Sequence, residues 1–179
     1  MNSSSSNQFG LVVAYLLPGF IGLAGIAPFA PLVAGWLTPI GYAEASLGPP
    51  IYAVLAAGTI GMVVGALRWF VIDHIHNWTG LKPPIWDDSR LEARLSAFNY
   101  LVENHYRYYQ FYANTMVAVI FAYLINQVMG TSSLFGLGTD ICVVVLCCAL
   151  FAGSRDALTK YYSRTSRLIG ESTKKRNNA

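Results

Sequence analysis

Asn99, Glu103, Arg107, Gln110 and Asn114 follow one another at spacings of 4, 4, 3 and 4. Those spacings put all five on one face of a helix. Beyond residue 110 the chain turns apolar, so the stripe runs from a polar medium into a hydrophobic one at Asn114 and Thr115. Polar side chains at membrane depth face protein or water, not lipid. Two kinds of chemistry fit. One is a helix-to-helix hydrogen-bond ladder with Glu103 paired to Arg107. The other is the wall and gate of an aqueous path. Asn126 and Gln127 extend the polar character toward the far end of the same helix.

A second group is Asp73, His74, His76, Asp87, Asp88, Glu103 and His105, which could in principle assemble a metal or hydrolytic site. His74 and His76 are two residues apart, which splays them on a helix, and no HExxH spacing occurs. They read better as interfacial residues beside Trp69, Trp78 and Trp86, an aromatic belt. Arg68 and His74 meet the loose Arg-x4-6-His spacing associated with HEPN ribonucleases. However, Trp69 stands where that motif carries a polar residue, and the spacing alone is no family resemblance. There is no G-x-S-x-G, no P-loop and no dinucleotide fingerprint, so no cofactor is expected. Cys142, Cys147 and Cys148 share one apolar run with no histidine in it, which points to small-residue packing and neither zinc nor disulfides.

A third pattern, Ala57, Gly61 and Gly65, repeats every four residues, with Gly58 adjoining. Such small-xxx-small faces let two membrane helices approach closely, within one chain or between chains.

These residues need long helices to position them, and the composition supplies them. Of 179 residues, 54% are hydrophobic and only 12% charged, with mean hydropathy +0.43. A soluble domain carries roughly 25% charged residues. Too few charges are present to cover a soluble globule, so the class is an integral membrane protein. A membrane helix takes about 20 apolar residues. Four stretches qualify: about 9–27, 51–72, 111–129 and 134–153. The first lacks the positive n-region of a signal peptide. The alternating ten-residue strands of a β-barrel are absent. The expected fold is therefore all-α, with four transmembrane helices, the third and fourth extended into the cytoplasm.

All twelve Lys and Arg residues lie in or beside the 73–110 connection and the tail after the fourth span. The segments 28–50 and 130–133 have none. By the positive-inside rule, both termini and both basic regions are cytoplasmic. Segment 1–8 reads as a disordered Ser-rich start, 9–170 as a single transmembrane domain with cytoplasmic helical extensions at 73–110 and 154–170, and 171–179 as a disordered basic tail. That tail suits anionic headgroups better than nucleic acid. All eight prolines fall within the first 84 residues, so the second half can form unbroken helices. Leu91, Leu95, Phe98, Val102, His105, Tyr109 and Tyr112 form a heptad-like seam. The helix carrying it, if continuous from 88 to 129, is about 63 Å long, twice the hydrocarbon thickness. Segment 28–50 is almost uncharged, and reads as an interfacial element anchored by Trp36 and Tyr42 or as a cap over a central opening.

The leading expectation is a homo-oligomeric channel or pore gated from the cytoplasmic side. Asn99, Glu103, Arg107, Gln110 and Asn114 would line or gate it, and subunits would meet through Ala57, Gly61 and Gly65. One four-helix subunit is too narrow for a lumen. A location in the bacterial inner membrane, and a role as a stress or defence effector, follow only by association with small pores of this kind. The second expectation is a non-conducting membrane adaptor docking a cytoplasmic partner through its Tyr-rich surface. The third is a membrane-bound hydrolase or ribonuclease using Arg68 and His74. Expected partners are the lipid bilayer, further copies of the chain and a cytoplasmic protein. No metal and no nucleic acid are expected.

Overall fold

The computed structural model describes residue 10 and residues 12–38, 47–86, 89, 91–129 and 136–170. No strand occurs among them. The first long helix starts with a π-helical turn (Val12–Leu16), continues as α1 (Leu17–Ile26) and closes with a 3-10 turn (Ala27–Phe29). Short α2 (Pro31–Leu37) follows, then α3 (Gly48–Trp78). After a 3-10 turn (Glu92–Arg94) come α4 (Leu95–Leu101), a second π-helical turn (Val102–Tyr106) and α5 (Arg107–Met129), one helical run of 38 residues. Helix α6 (Leu137–Ile169) ends the described chain.

Four helices are long and apolar enough to cross a membrane: Val12–Phe29, Gly48–Trp78, Glu92–Met129 and Leu137–Ile169. All four expected spans are present as helices, and the last three run beyond their apolar stretches. At 1.5 Å per residue the 38-residue run is about 57 Å long, well over the roughly 30 Å hydrocarbon layer.

Prolines set the helix starts. Pro31, Pro49 and Pro50 all lie in the first turn of an α-helix, where a backbone N–H has no intrahelical partner anyway. Pro18 lies inside the run from Val12 to Phe29, just after the π-helical turn, where it removes the N–H that would pair with the Ala14 carbonyl, and Pro28 sits in the closing 3-10 turn. Gly170 adopts φ +88°, a left-handed conformation that suits glycine, and α6 stops there as its sequence suggests. Asp87 and Asp88 of the second group, and the segments 1–8 and 171–179, lie outside the described residues.

Packing places the first helix between α3 and α5, with α6 on the other side of α5. The first contact depends on absent side chains. A Cβ on Gly19 would strike the Ala57 carbonyl oxygen, and one on Gly61 would strike that of Tyr15. On the α5 side, a Cβ on Gly25 would stand 2.6 Å from the Ala122 Cβ. The face bearing Ala57, Gly61 and Gly65 is thus the seat of the first helix. Helix α6 differs: only 11% of its apolar window is buried inside the chain, and Ile141, Val144, Val145 and Leu146 point outward. Such a surface needs lipid or another apolar partner. The large buried core gathers where α3, the α4–α5 run and α6 meet, around Ile72, Tyr109, Met116, Leu150, Leu158 and Tyr161.

Candidate functional site

The polar stripe faces the first helix. Glu103 Oε2 would be 3.0 Å from a Cβ on Gly10, and Glu103 Oε1 lies 3.8 Å from Arg107 Nε. Arg107 Nη1 donates to Gln110 Oε1 at 3.3 Å, and Gln110 Nε2 donates to the Tyr15 hydroxyl at 3.0 Å. Asn114, wholly buried, donates from Nδ2 to the Ala14 carbonyl at 2.8 Å. Ala14 stands four residues before Pro18, which has no N–H to donate, so the Ala14 carbonyl lacks its usual i+4 partner and takes an outside donor. Farther along, Asn126 Nδ2 reaches the Gly25 carbonyl at 3.3 Å. The structure thus brings Glu103, Arg107, Gln110 and Asn114 together along one contact between helices. Asn99 is not part of it: it lies a turn beyond the level of Gly10 and is exposed. Asn114 Oδ1 and Thr115 Oγ1 are buried with no hydrogen-bond partner among the described residues.

A second polar cluster closes the far end of α3. Arg68, 6% exposed, donates from Nη1 to Asp73 Oδ1 and to the Tyr109 hydroxyl, both at 2.8 Å, and the Tyr109 hydroxyl in turn donates to Asp73 Oδ1. The guanidinium lies 5.1 Å from the Tyr109 ring centroid. An Arg this buried needs a carboxylate and further hydrogen bonds to offset its desolvation, and this triad supplies them. His74 is elsewhere, against Trp69 and Phe70, so the structure does not pair it with Arg68.

His76 is 1% exposed and stacks on Phe151 at 5.0 Å. Its Nε2 lies 3.1 Å from Ser154 Oγ, a serine–histidine pair that the sequence does not announce, since 78 positions separate the two. The Ser154 hydroxyl also lies 2.8 Å from the Phe151 carbonyl, within donating distance. Ser154 is wholly buried as well. The pair ties α3 to α6.

Beyond the apolar spans, α3, α4 and α6 are cross-braced. Arg155 Nη2 donates to the Thr79 carbonyl at 2.9 Å, and its Nη1 to the Thr79 hydroxyl, capping the end of α3. Trp86 Nε1 donates to Ser166 Oγ at 3.3 Å, and its ring meets Tyr161 edge-on at 5.7 Å. Arg94 donates to the Leu168 carbonyl, near the end of α6. Arg164 Nη1 lies 2.8 Å from His105 Nε2, which accepts only when the imidazole is neutral. His105 lies outside the apolar spans. Burial, followed by the Arg164 and Lys160 cations, holds its pKa below the ordinary value, while Asp156 pulls the other way. The seam face of the run is shared: Tyr112 lies under Gly153 of α6 and the adjoining Tyr106 ring is 5.1 Å from Tyr161, while Tyr109 turns to Arg68 and His76 of α3.

Among the described residues no group of three His, Cys, Asp or Glu side chains could hold a metal ion. Cys142 and Cys148 are exposed thiols on α6 and Cys147 is half-buried. The close-approach glycines of α1, Gly19, Gly22 and Gly25, escaped the sequence reading, although their three-residue spacing was the available signal. Compared with known proteins, the chain matches no family model, no curated protein and no solved structure.

Proposed function

We propose that the protein is a non-conducting membrane scaffold, with the braced ends of α3, α4 and α6 as a docking element on the cytoplasmic side. The observation that carries this reading is the bracing itself. Beyond the apolar spans, Trp86–Ser166, Arg155–Thr79 and Arg94–Leu168 tie the end of α3, the segment after it and the 3-10 turn before α4 to α6, which supports a surface of fixed shape away from the bilayer. The one-sided distribution of Lys and Arg supports a cytoplasmic location for it and for both termini, in a plasma membrane such as the bacterial inner membrane. The engagement of Gln110 and Asn114 by the first helix supports a dry seam rather than a lumen within one chain.

The second reading is a homo-oligomeric pore gated from the cytoplasm. What favours it is the outward apolar face of α6, which suits further copies of the chain, together with the unpartnered Asn114 Oδ1 and Thr115 Oγ1. Ion flux from liposomes holding purified protein separates the two. The scaffold reading expects no flux above empty liposomes. Flux that Gln110→Leu with Asn114→Leu alters would establish the pore and end the scaffold reading.

A further inference from the structure

Between α4 and the last turns of α6 lies an open groove of about 870 Å³. Its floor is apolar, formed by Ala97, Leu101 and Leu168, and its rim carries Arg94 on one wall and Arg164 and Arg167 on the other. Among the described residues none of these three guanidinium groups pairs with a carboxylate; the ion pairs present are Arg68–Asp73, Arg107–Glu103 and Lys160–Asp156. Arg164 instead meets the neutral nitrogen of His105, and Arg94 a backbone carbonyl. Three cations around an apolar trough call for an occupant that is apolar on one side and acidic on its flanks.

The position along α6 limits what that occupant is. The apolar run ends near Gly153, so Arg164 lies about 16 Å and Arg167 about 21 Å farther along the helix. A headgroup layer is only about 5–7 Å deep on each side. The groove thus opens past the headgroups, into the aqueous compartment. Its wall from Ala93 to Leu101, formed by the 3-10 turn and α4 together, is about 12 Å long, room for two turns of a helix laid alongside. Small Ala93, Ser96 and Ala97 keep that wall low, as a helix-in-groove contact requires.

We infer that this groove docks an acidic amphipathic helix from a soluble partner protein, its apolar face on Ala97, Leu101 and Leu168 and its carboxylates on Arg94, Arg164 and Arg167. The inference rests on the scaffold reading, which it deepens by naming the partner's chemistry. The partner's carboxylates would gain charge-assisted hydrogen bonds to arginines whose planar forks suit them.

The test is a peptide selection. Full-length protein in nanodiscs of neutral phosphatidylcholine is panned against a random library of 16-residue peptides. The enriched peptides are expected to be net acidic, with apolar residues at i, i+3, i+4 and i+7. Binding is expected to fall at least tenfold with Arg167→Glu and with Ala97→Glu, which blocks the floor without touching an arginine. Arg167→Lys should retain most of it. Unchanged circular dichroism and gel-filtration profiles show that each variant is folded. Enrichment of no acidic peptide overturns the inference, as does binding indifferent to both variants. Preferential binding of phosphatidylserine vesicles or inorganic pyrophosphate, lost in the same variants, also overturns it and assigns the groove to a lipid or phosphate ligand. Ion flux would overturn the scaffold reading without bearing on what the groove selects, so the two failures are distinguishable.

Discussion

Arg68, Asp73 and Tyr109 form a unit in which no member is replaceable alone. Removing one partner of a buried ion pair leaves the other charge uncompensated, at a cost of about 3–5 kcal/mol for a fully buried pair. Asp73 is a third exposed, which reduces this. Asp73→Ala should therefore destabilise the protein by about 2–3 kcal/mol, and Tyr109→Phe by about 1–2 kcal/mol through a lost hydrogen bond. Thermal denaturation in detergent checks both. His105 titrates below its ordinary value of about 6.5, because burial and the Arg164 cation disfavour the imidazolium. Its folded pKa is depressed, so the unfolded chain binds the proton more readily. Stability therefore falls as pH drops from about 6.5 through the folded value. The histidine resonance that disappears in His105→Gln should titrate below that of unfolded protein, and that variant should lose part of the acid sensitivity. The triad was only partly legible in sequence. Arg68 was visible as a charge near the end of an apolar run, but its partner Tyr109 lies 41 positions away, and only the crossing of α3 with α5 brings them together.

Among the elements, the four long helices were readable because length and apolar composition decide spanning capacity, and those are properties of a single segment. The end of α6 agrees with the expected extension at 154–170, where Gly170 takes a left-handed conformation. What covers a face is not local. The stripe from Glu103 to Asn114 was evident from its spacing, yet spacing names a face and not its neighbour. The neighbour is the π-helical turn at Val12–Leu16, where Pro18 deprives the Ala14 carbonyl of its i+4 donor; the proline is visible in sequence, but not which helix meets it. The small face of α3 was legible too, but its counterpart, Gly19, Gly22 and Gly25 of α1, becomes meaningful only once the two helices cross. That crossing should tolerate no side chain. Gly61→Leu is expected to eject the first helix from its seat, at a cost of about 1–3 kcal/mol or more. Gly58→Leu, with nothing within 4 Å of its would-be Cβ, should be silent. Protease sensitivity of the first helix in detergent distinguishes the two variants.

Taken whole, the molecule pairs a tightly seated three-helix group with a peripheral helix. The first helix, α3 and α5 exchange close backbone contacts and polar bonds, while α6 joins them chiefly along α5 and through its lower half. Its upper half faces outward and apolar. This asymmetry gives one molecule two surfaces of different character, an apolar flank along the upper half of α6 and a basic, braced end beyond the apolar spans. The scaffold account needs the polar stripe to be dry, since a wet stripe would make it a conduit. Thiol accessibility measures this most directly. In a background with Cys142, Cys147 and Cys148 changed to Ala, single cysteines replace Asn99, Gln110 and Asn114, and membrane-embedded protein is treated with a charged methanethiosulfonate from the side bearing the basic regions. The account predicts rapid modification at position 99 and none at 110 or 114. Modification at 110 and 114 at rates near that of position 99 would place the stripe in water and contradict it.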